Sequence, residues 1–367
     1  MNKFLAALLL SGRAFATVLE LSDEVTNGSV TVETTSTSKG LLDGPKIAST
    51  ANDTTYDWWY FDAVSASTNQ SIALVFYNAG EDGFVNPWWA EALSVSITGT
   101  FANGTLFNLV AGSSSGAEIT YDENGISVNY TGAGISFTGS SITAETVTYS
   151  VTLDSAETGV SGTVSFTSVA PAHYACTTEA RSSESVMPHV FWSNAVPDAD
   201  ATVDVTFADG TAMQFTDGVG YHDKNWGDEP FADVVGSWYW GHAHLGSYSL
   251  VWFDILGLDG TEYFSGYVAE DGNILLTSCA EDAVTARPWG ANDTYPPTVS
   301  SGLMQGLEIT FNLDNGTTLS ANVTRGTIVM DYDDSVYIRA LASVSGGIDG
   351  GETYEGRGIF EQFALTA

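Results

Sequence analysis

The chain has 367 residues, with 45 acidic and only 10 basic side chains and a formal net charge of −35 at neutral pH. A surface that acidic repels nucleic acid and anionic membranes and excludes both as partners. Strand formers, Gly, Ser and Thr are abundant and few windows carry helical periodicity, so the expected fold class is all-β, with length enough for two domains.

Residues 1–16, MNKFLAALLLSGRAFA, have the pattern of a secretory signal peptide. Lys3 is the positive n-region, Phe4 to Leu10 the apolar run, and Ala14-Phe15-Ala16 a small-x-small cleavage site. No later run approaches the ~20 apolar residues of a spanning helix. Residues 17–55 are polar and Thr/Ser-rich, an expected extended arm. A first β domain is expected over 56–220. It opens with Asp57-Trp58-Trp59-Tyr60-Phe61-Asp62, where alternation puts Trp58, Tyr60 and Asp62 on one face and Trp59 and Phe61 on the other. Large side chains on both faces imply a strand buried on both. Asn86-Pro87-Trp88-Trp89-Ala90-Glu91 adds two tryptophans beside a carboxylate. From Leu93 to Val169 short alternating strands are separated by turns such as Asn103-Gly104 and Asn124-Gly125, the text of a meander or barrel.

A second β domain is expected over 221–367. The stretch 218–257 holds four of the ten tryptophans, three of the five histidines and Lys224. In SWYWGHAHL, alternation places Trp238, Trp240, His242 and His244 on one side. In YSLVWFDIL it aligns Tyr248, Leu250, Trp252 and Asp254. Ser237-Trp238-Tyr239-Trp240 echoes Asp57-Trp58-Trp59-Tyr60, and SLVWFD echoes ALVFYN, a weak internal duplication. Eight Asn-x-Ser/Thr sequons, at Asn27, Asn52, Asn69, Asn103, Asn129, Asn292, Asn315 and Asn322, fit an N-glycosylated chain of the secretory pathway or outside the cell. The two cysteines, Cys176 and Cys279, lie one in each half. Either they form one bridge clamping the halves together or they are two unrelated thiols.

The early WWYFD, the later GYHDKNWGD and WYWGH, and the closing Tyr354-Glu355-Gly356-x-Gly358 resemble the lipocalin-like carotenoid 1,2-hydratase (hydroxyneurosporene synthase) superfamily. The similarity is to its fungal secreted branch of kievitone hydratase-like proteins, Diels–Alderases and hetero-Diels–Alderases. The resemblance implies two lipocalin-like β-barrel or β-sandwich domains in tandem, a ligand pocket between or within them, and no metal or organic cofactor. One scaffold of this kind hosts several chemistries, so the reaction has to come from the site.

Asp62, Asp223 and Asp254 are the acidic candidates, each set in aromatic sequence. Burial against apolar walls raises a carboxyl pKa and can keep a proton available at neutral pH. The alternative for Asp223 is a carboxylate satisfied by backbone N–H groups or by Lys224, whose other expected partner is Glu229. His242-x-His244 shares a strand face and could join His222 as part of a metal site, but no third ligand has telling spacing, so no metal is expected. Donation to a substrate oxygen suits His242, His244 and Tyr221 better, beside a role as core histidines. Asp62, His242, His244, Asp254 and Tyr221 are therefore the candidate catalytic groups. Trp58, Tyr60, Trp88, Trp89, Trp238, Trp240 and Trp252 are the candidate substrate-binding walls, with core filling as their bland alternative.

Three functions fit such a pocket. A cofactor-independent [4+2] cyclase of secondary metabolism would join a diene or quinone-methide-like heterodiene, from a tropolone or polyketide, to a terpene alkene by holding two π systems face to face. A hydratase would protonate a prenyl or terpenoid alkene and add water. A carrier would only bind a small hydrophobic metabolite. The cyclase is the expected function.

Overall fold

Alternating sequence with short Gly-containing turns folds into antiparallel strands almost throughout. The computed structural model describes residues 16–84, 91–332 and 336–367, and there the chain builds two curled antiparallel sheets in tandem. In the first, a meander running from Ala117–Asp122 to Ser161–Ser168 leads to the long strands Val190–Thr206 and Ala212–Gly227. These continue through Tyr56–Ser65 and Ser71–Ala79 to the edge at Leu106–Gly112. In the second, Val235–Leu245 is central, flanked by Tyr248–Gly257 on one side and by Tyr354–Ala364 and Tyr337–Ile348 on the other. Asp209-Gly210 closes the hairpin between the two long strands. Gly210 has φ +84°, and its N–H donates to the Phe207 carbonyl at 2.8 Å, a turn that a Cβ would strain.

The central strands are buried on both faces, as the double-sided aromatic pattern requires. Trp59 and Phe61 point into the first domain's own core, whereas Trp58 and Tyr60 point into a second cluster between the sheets. Tyr239, Ala243 and Leu245 fill the core of the second domain, and Trp238 and Trp240 join the inter-sheet cluster. Period-two alternation thus divides three apolar layers between two sheets.

The expected boundary at 220/221 is displaced. The HDKNWG segment lies wholly in the first sheet, where Tyr221 pairs with Asp62, Asp223 with Tyr60 and Asn225 with Trp58. The change of sheet falls between Gly227 and Val235, through a single helical turn at Phe231–Val234. The expected arm is built into the first domain. Thr17–Leu21 pairs with Ala117–Asp122, and farther along Leu42 and Ile47 are fully buried. Asp43 accepts the Tyr149 hydroxyl at 2.9 Å and pairs with His222 Nε2 at 3.1 Å.

The seam between the domains is held by directed contacts as well as apolar ones. Cys176 and Cys279 form a disulfide across it. The Tyr267 hydroxyl donates to the Pro171 carbonyl at 3.0 Å, and Arg357 Nη2 to the Thr68 carbonyl at 2.8 Å. Lys224 pairs with Asp57, not with Asp223 or Glu229. Alternation turns it to the opposite face from Asp223, where its Nζ lies 3.4 Å from the centre of the Trp59 ring. Asp57 also accepts the Lys46 and Ile47 backbone N–H groups at 2.8 and 3.2 Å.

Breaking one side of a buried pair strands the other charge, whereas removing both does not. Lys224→Met is expected to cost roughly 3–5 kcal/mol, read as a lower urea midpoint at unchanged m. The double change Asp57→Asn with Lys224→Met should recover a large part of it. A double variant as unstable as the single would show that packing, not charge, sets the loss.

Candidate active site

Cross-strand rows place the polar groups of the inter-sheet layer. In the first sheet Asn225–Trp58–Tyr77 and Asp223–Tyr60–Val75 are consecutive rows on the inward face. In the second, Phe253–Trp240–Glu361–Arg339 is one row, with Trp238–Phe363–Tyr337 beside it. Residues directly opposite in an antiparallel pair share a face, so these rows stand as two facing walls. Between them lies a narrow cavity, lined by Trp58, Tyr60, Trp238 and Trp240 together with Asp223, Asn225, Arg339 and Glu361. The rings are locked edge to face, Tyr60 on Trp240 at 5.3 Å and Trp238 on Phe253 at 5.1 Å between centroids.

Asp223 is the acid on this wall. Its Oδ2 accepts the Trp192 indole N–H and the Tyr221 hydroxyl, each at 2.8 Å, and its Oδ1 accepts the Asn225 amide at 2.8 Å. Burial pushes its carboxyl up to about 7, against the lowering effect of the Trp192 and Tyr221 donors and of the His222 charge, and the Glu361 carboxylate adds to the rise. A group with that pKa keeps a transferable proton at neutral pH. Burial, and then the charge of Asp223, hold the Tyr221 hydroxyl well above the ordinary phenol range, so it stays a donor.

In the next row of the same inter-sheet layer, Asp62 and His242 form a buried pair. His242 Nε2 lies 2.9 and 3.0 Å from the two carboxylate oxygens, and the Tyr60 hydroxyl donates to Oδ2 at 2.8 Å. The Tyr221 ring stacks on the imidazole at 4.3 Å between centroids. Among the described residues His242 Nδ1 has no hydrogen-bond partner. The pair steadies Tyr60 and Tyr221, the two phenols that stand between it and the cavity.

Of the expected site residues, Trp58, Tyr60, Trp238 and Trp240 line the cavity, and Asp62, His242 and Tyr221 back it. Trp252 and Asp254 do not belong with them. The register pairs Trp240 with Phe253 and Gly241 with Trp252, so Trp252 enters the second domain's own core. Asp254 is bound there by the Ala286 N–H at 2.8 Å, the Tyr295 hydroxyl at 2.9 Å and Arg287. His244 is also elsewhere, at the seam. It pairs with Asp198 at 2.7 Å, an oxygen that accepts the Ser249 hydroxyl at 2.6 Å. Trp88 and Trp89 lie outside the described residues. Arg339, Glu361 and Tyr337 were not expected, although an arginine within YIRALA and a glutamate within FEQFA are charges inside apolar strands. Among the described residues no group of three His, Cys, Asp or Glu side chains is placed to hold a metal ion.

The model of the Diels-Alderase-like family matches residues 16–294. The quinolone epoxide rearrangement protein asqO of Emericella nidulans is 40% identical over 339 residues, 92% of this chain and 90% of its own. The quinolone epoxide rearrangement protein penF of Penicillium thymicola is 41% identical over 324 residues, 88% of each chain. The crystal structure of CghA with Sch210972 superposes with TM-score 0.76 at 17% identity, over 96% of this chain and 99% of that one. Kievitone hydratase from Nectria haematococca superposes at 0.51 and 13% identity, over 94% and 99%. At those identities the two structures establish the shared two-domain β fold.

Asp223 carries its own signature in stability. Its carboxyl titrates near 4 when unfolded and near 7 when folded, so between those values the native state holds the extra proton. Its contribution is therefore fully present below about pH 4 and is lost as pH rises through about 7. Asp223→Asn is expected to remove that part of the slope, making the variant the more stable form at pH 7.5 by roughly 2–4 kcal/mol. Urea unfolding of both proteins at pH 5 and 7.5 measures it. Parallel pH profiles would mean that Asp223 is ionised in the folded protein.

Proposed function

The chain belongs to the Diels-Alderase-like family, and within it we propose a cofactor-independent isomerase that rearranges an epoxide on a flat, quinolone-type skeleton. The observation that carries this reading is Asp223, a buried carboxyl that keeps its proton near neutral pH on a wall otherwise made largely of aromatic rings. The two relatives at 40 and 41% identity supply the substrate class by their names.

The chemistry needs one acid and balances without a co-reactant. Asp223 gives its proton to the epoxide oxygen, and the C–O bond breaks with its electron pair leaving on oxygen. The positive charge left on the ring-attached carbon faces the Trp58, Tyr60 and Trp240 rings, whose π faces attract a cation. A bonding pair on the neighbouring carbon then moves to fill it, and the resulting hydroxyl-bearing cation returns its proton to the Asp223 carboxylate. Substrate and product are isomers, and the acid is regenerated. Asn225, Trp192 and Tyr221 are the donors that accommodate the transient carboxylate.

Asp223→Asn keeps the size and most of the hydrogen bonds of the side chain but has no proton to give. With a 4-aryl-quinolin-2-one 3,4-epoxide as substrate, kcat should fall about 10²–10⁴-fold, and the wild-type rate should decline as pH rises past about 7, the value to which burial lifts the carboxyl. Chromatography that separates the isomers reads both. Full activity in Asp223→Asn would sink the acid mechanism.

The [4+2] cyclase is the second reading, favoured by the description of the matched family and by the rigid, edge-to-face walls of the cavity. It asks only that two π systems be held in contact, so Asp223→Asn would slow it little. Its product weighs as much as its two π components together, whereas hydration would add one water.

We also place the chain in the secretory pathway. Seven of the eight sequon asparagines are exposed, Asn52 being half-buried with its amide donating to the Gly28 carbonyl at 2.9 Å, and the cross-domain disulfide suits an oxidising compartment. Expression through a fungal secretory route should give glycans at the exposed sites and leave Asn52 bare, read by peptide mass mapping after deglycosylation in heavy-oxygen water. A secreted protein without any glycan would oppose it.

A further inference from the structure

The cavity wall holds one pair of charges that the acid chemistry leaves unused. Arg339 and Glu361 face each other across neighbouring strands and are 5% and 6% exposed. Arg339 Nε donates to Glu361 Oε1 at 2.7 Å, and the Tyr337 hydroxyl donates to the same oxygen at 2.7 Å. Arg339 Nη1 makes one long contact, 3.4 Å to Thr98 Oγ1. Among the described residues Glu361 Oε2 accepts no hydrogen bond and Arg339 Nη2 donates none. The guanidinium lies 4.7 Å from the Tyr60 ring centre and 5.9 Å from that of Tyr337.

Stability does not account for this arrangement. A buried ion pair is commonly matched or bettered by apolar side chains of similar volume, and the same row carries Phe253 and Trp240. What the pair does offer, side by side on the wall, is a strong donor and a strong acceptor. That pattern is the complement of a secondary amide held cis in a ring, which presents a carbonyl oxygen next to an N–H.

We propose that Arg339 and Glu361 are specificity-determining residues that read the edge of a bicyclic lactam, Arg339 donating to its carbonyl oxygen and Glu361 accepting its N–H. This rests on the reading of the cavity as the substrate site and names the edge by which the substrate is recognised. With the lactam edge on the second domain's wall, the far side of the ring system faces Asp223 on the first. The two domains then divide the work, one holding the substrate and the other supplying the proton. The Glu361 carboxylate serves twice, since its charge also favours the protonated form of Asp223.

The test uses unreactive ligands, so that it stands apart from turnover. A 4-arylquinolin-2-one and the 4-arylcoumarin of the same shape differ only in the ring atom that meets Glu361, N–H in one and oxygen in the other. Binding is followed by quenching of tryptophan fluorescence in the full-length protein. The lactam is expected to bind about 100-fold more tightly than the lactone, because a site built around a donor is left with an unpaired buried acceptor when the donor is missing. In Glu361→Gln, whose amide can turn its N–H toward the ring oxygen, the ratio should fall below about 10-fold.

Equal binding of lactam and lactone by the unaltered protein, or no binding of the lactam, would overturn the proposal without recourse to any variant. An unchanged ratio in Glu361→Gln would overturn it too. Lactam selectivity in a protein that leaves the epoxide untouched would instead support it, and would remove only the acid mechanism.

Discussion

A strand buried on both faces has nowhere to put a charge except against another group, and the centre of this protein is made of such strands. Tyr56–Ser65 and the 218–227 half of Ala212–Gly227 carry Asp57, Asp62, His222, Asp223 and Lys224, all nearly inaccessible to solvent. Asp57 takes Lys224, Asp62 takes His242 from the other sheet, and His222 takes Asp43 from the arm. Asp223 differs in that its hydrogen-bond partners, Trp192, Tyr221 and Asn225, are all neutral. Desolvation prevails over those donors and over the charge of His222, and it pushes the carboxyl up to about 7. One unpaired acid among paired ones is what converts a structural layer into a site.

Much of this architecture is legible in the residues. The all-β class and the double-sided burial of DWWYFD follow from alternation and turn chemistry, the two tandem domains from length, the weak internal duplication and the family resemblance, and the aromatic walls at Trp58, Tyr60, Trp238 and Trp240 again from alternation. Alternation within one strand says nothing about its phase relative to the next. Trp252 and Asp254 share a face of their own strand, yet the register sets Phe253 opposite Trp240 and turns both away from the cavity. Phase also decides between neighbours in the chain. Asp223 and Lys224 are adjacent in sequence and belong to different layers, so the natural pairing of the two does not form. Arg339 and Glu361 stand out as charges within apolar strands, but their meeting depends on the register between Tyr337–Ile348 and Tyr354–Ala364, which pairs them across 22 residues.

The site exists only where the two sheets dock. Asp223, Asn225, Tyr60 and Trp58 come from the first sheet, and Trp238, Trp240, Arg339 and Glu361 from the second. Contacts at the seam therefore act on chemistry even where they are remote from it. The disulfide, the Arg357–Thr68 bond and the His244–Asp198–Ser249 cluster join the two sheets, and the proposed proton transfer from Asp223 would depend on how closely the walls are held. His244 ties the second domain to the first through Asp198.

The same layout explains how one scaffold serves several reactions. The aromatic walls are the generic part, able to hold a flat conjugated molecule and to face a developing cation, and they follow from burying the central strands on both sides. What distinguishes cycloaddition from rearrangement or hydration is small by comparison: whether a protonated acid sits on the wall, which edge of the substrate the polar pair admits, and whether water has room beside the cation. In this chain the proposed acid is Asp223, whose hydrogen-bond partners among the described residues are all neutral, and the proposed polar pair is Arg339 with Glu361. A change in either would alter the chemistry while leaving the packing of the three layers, and hence the fold, in place.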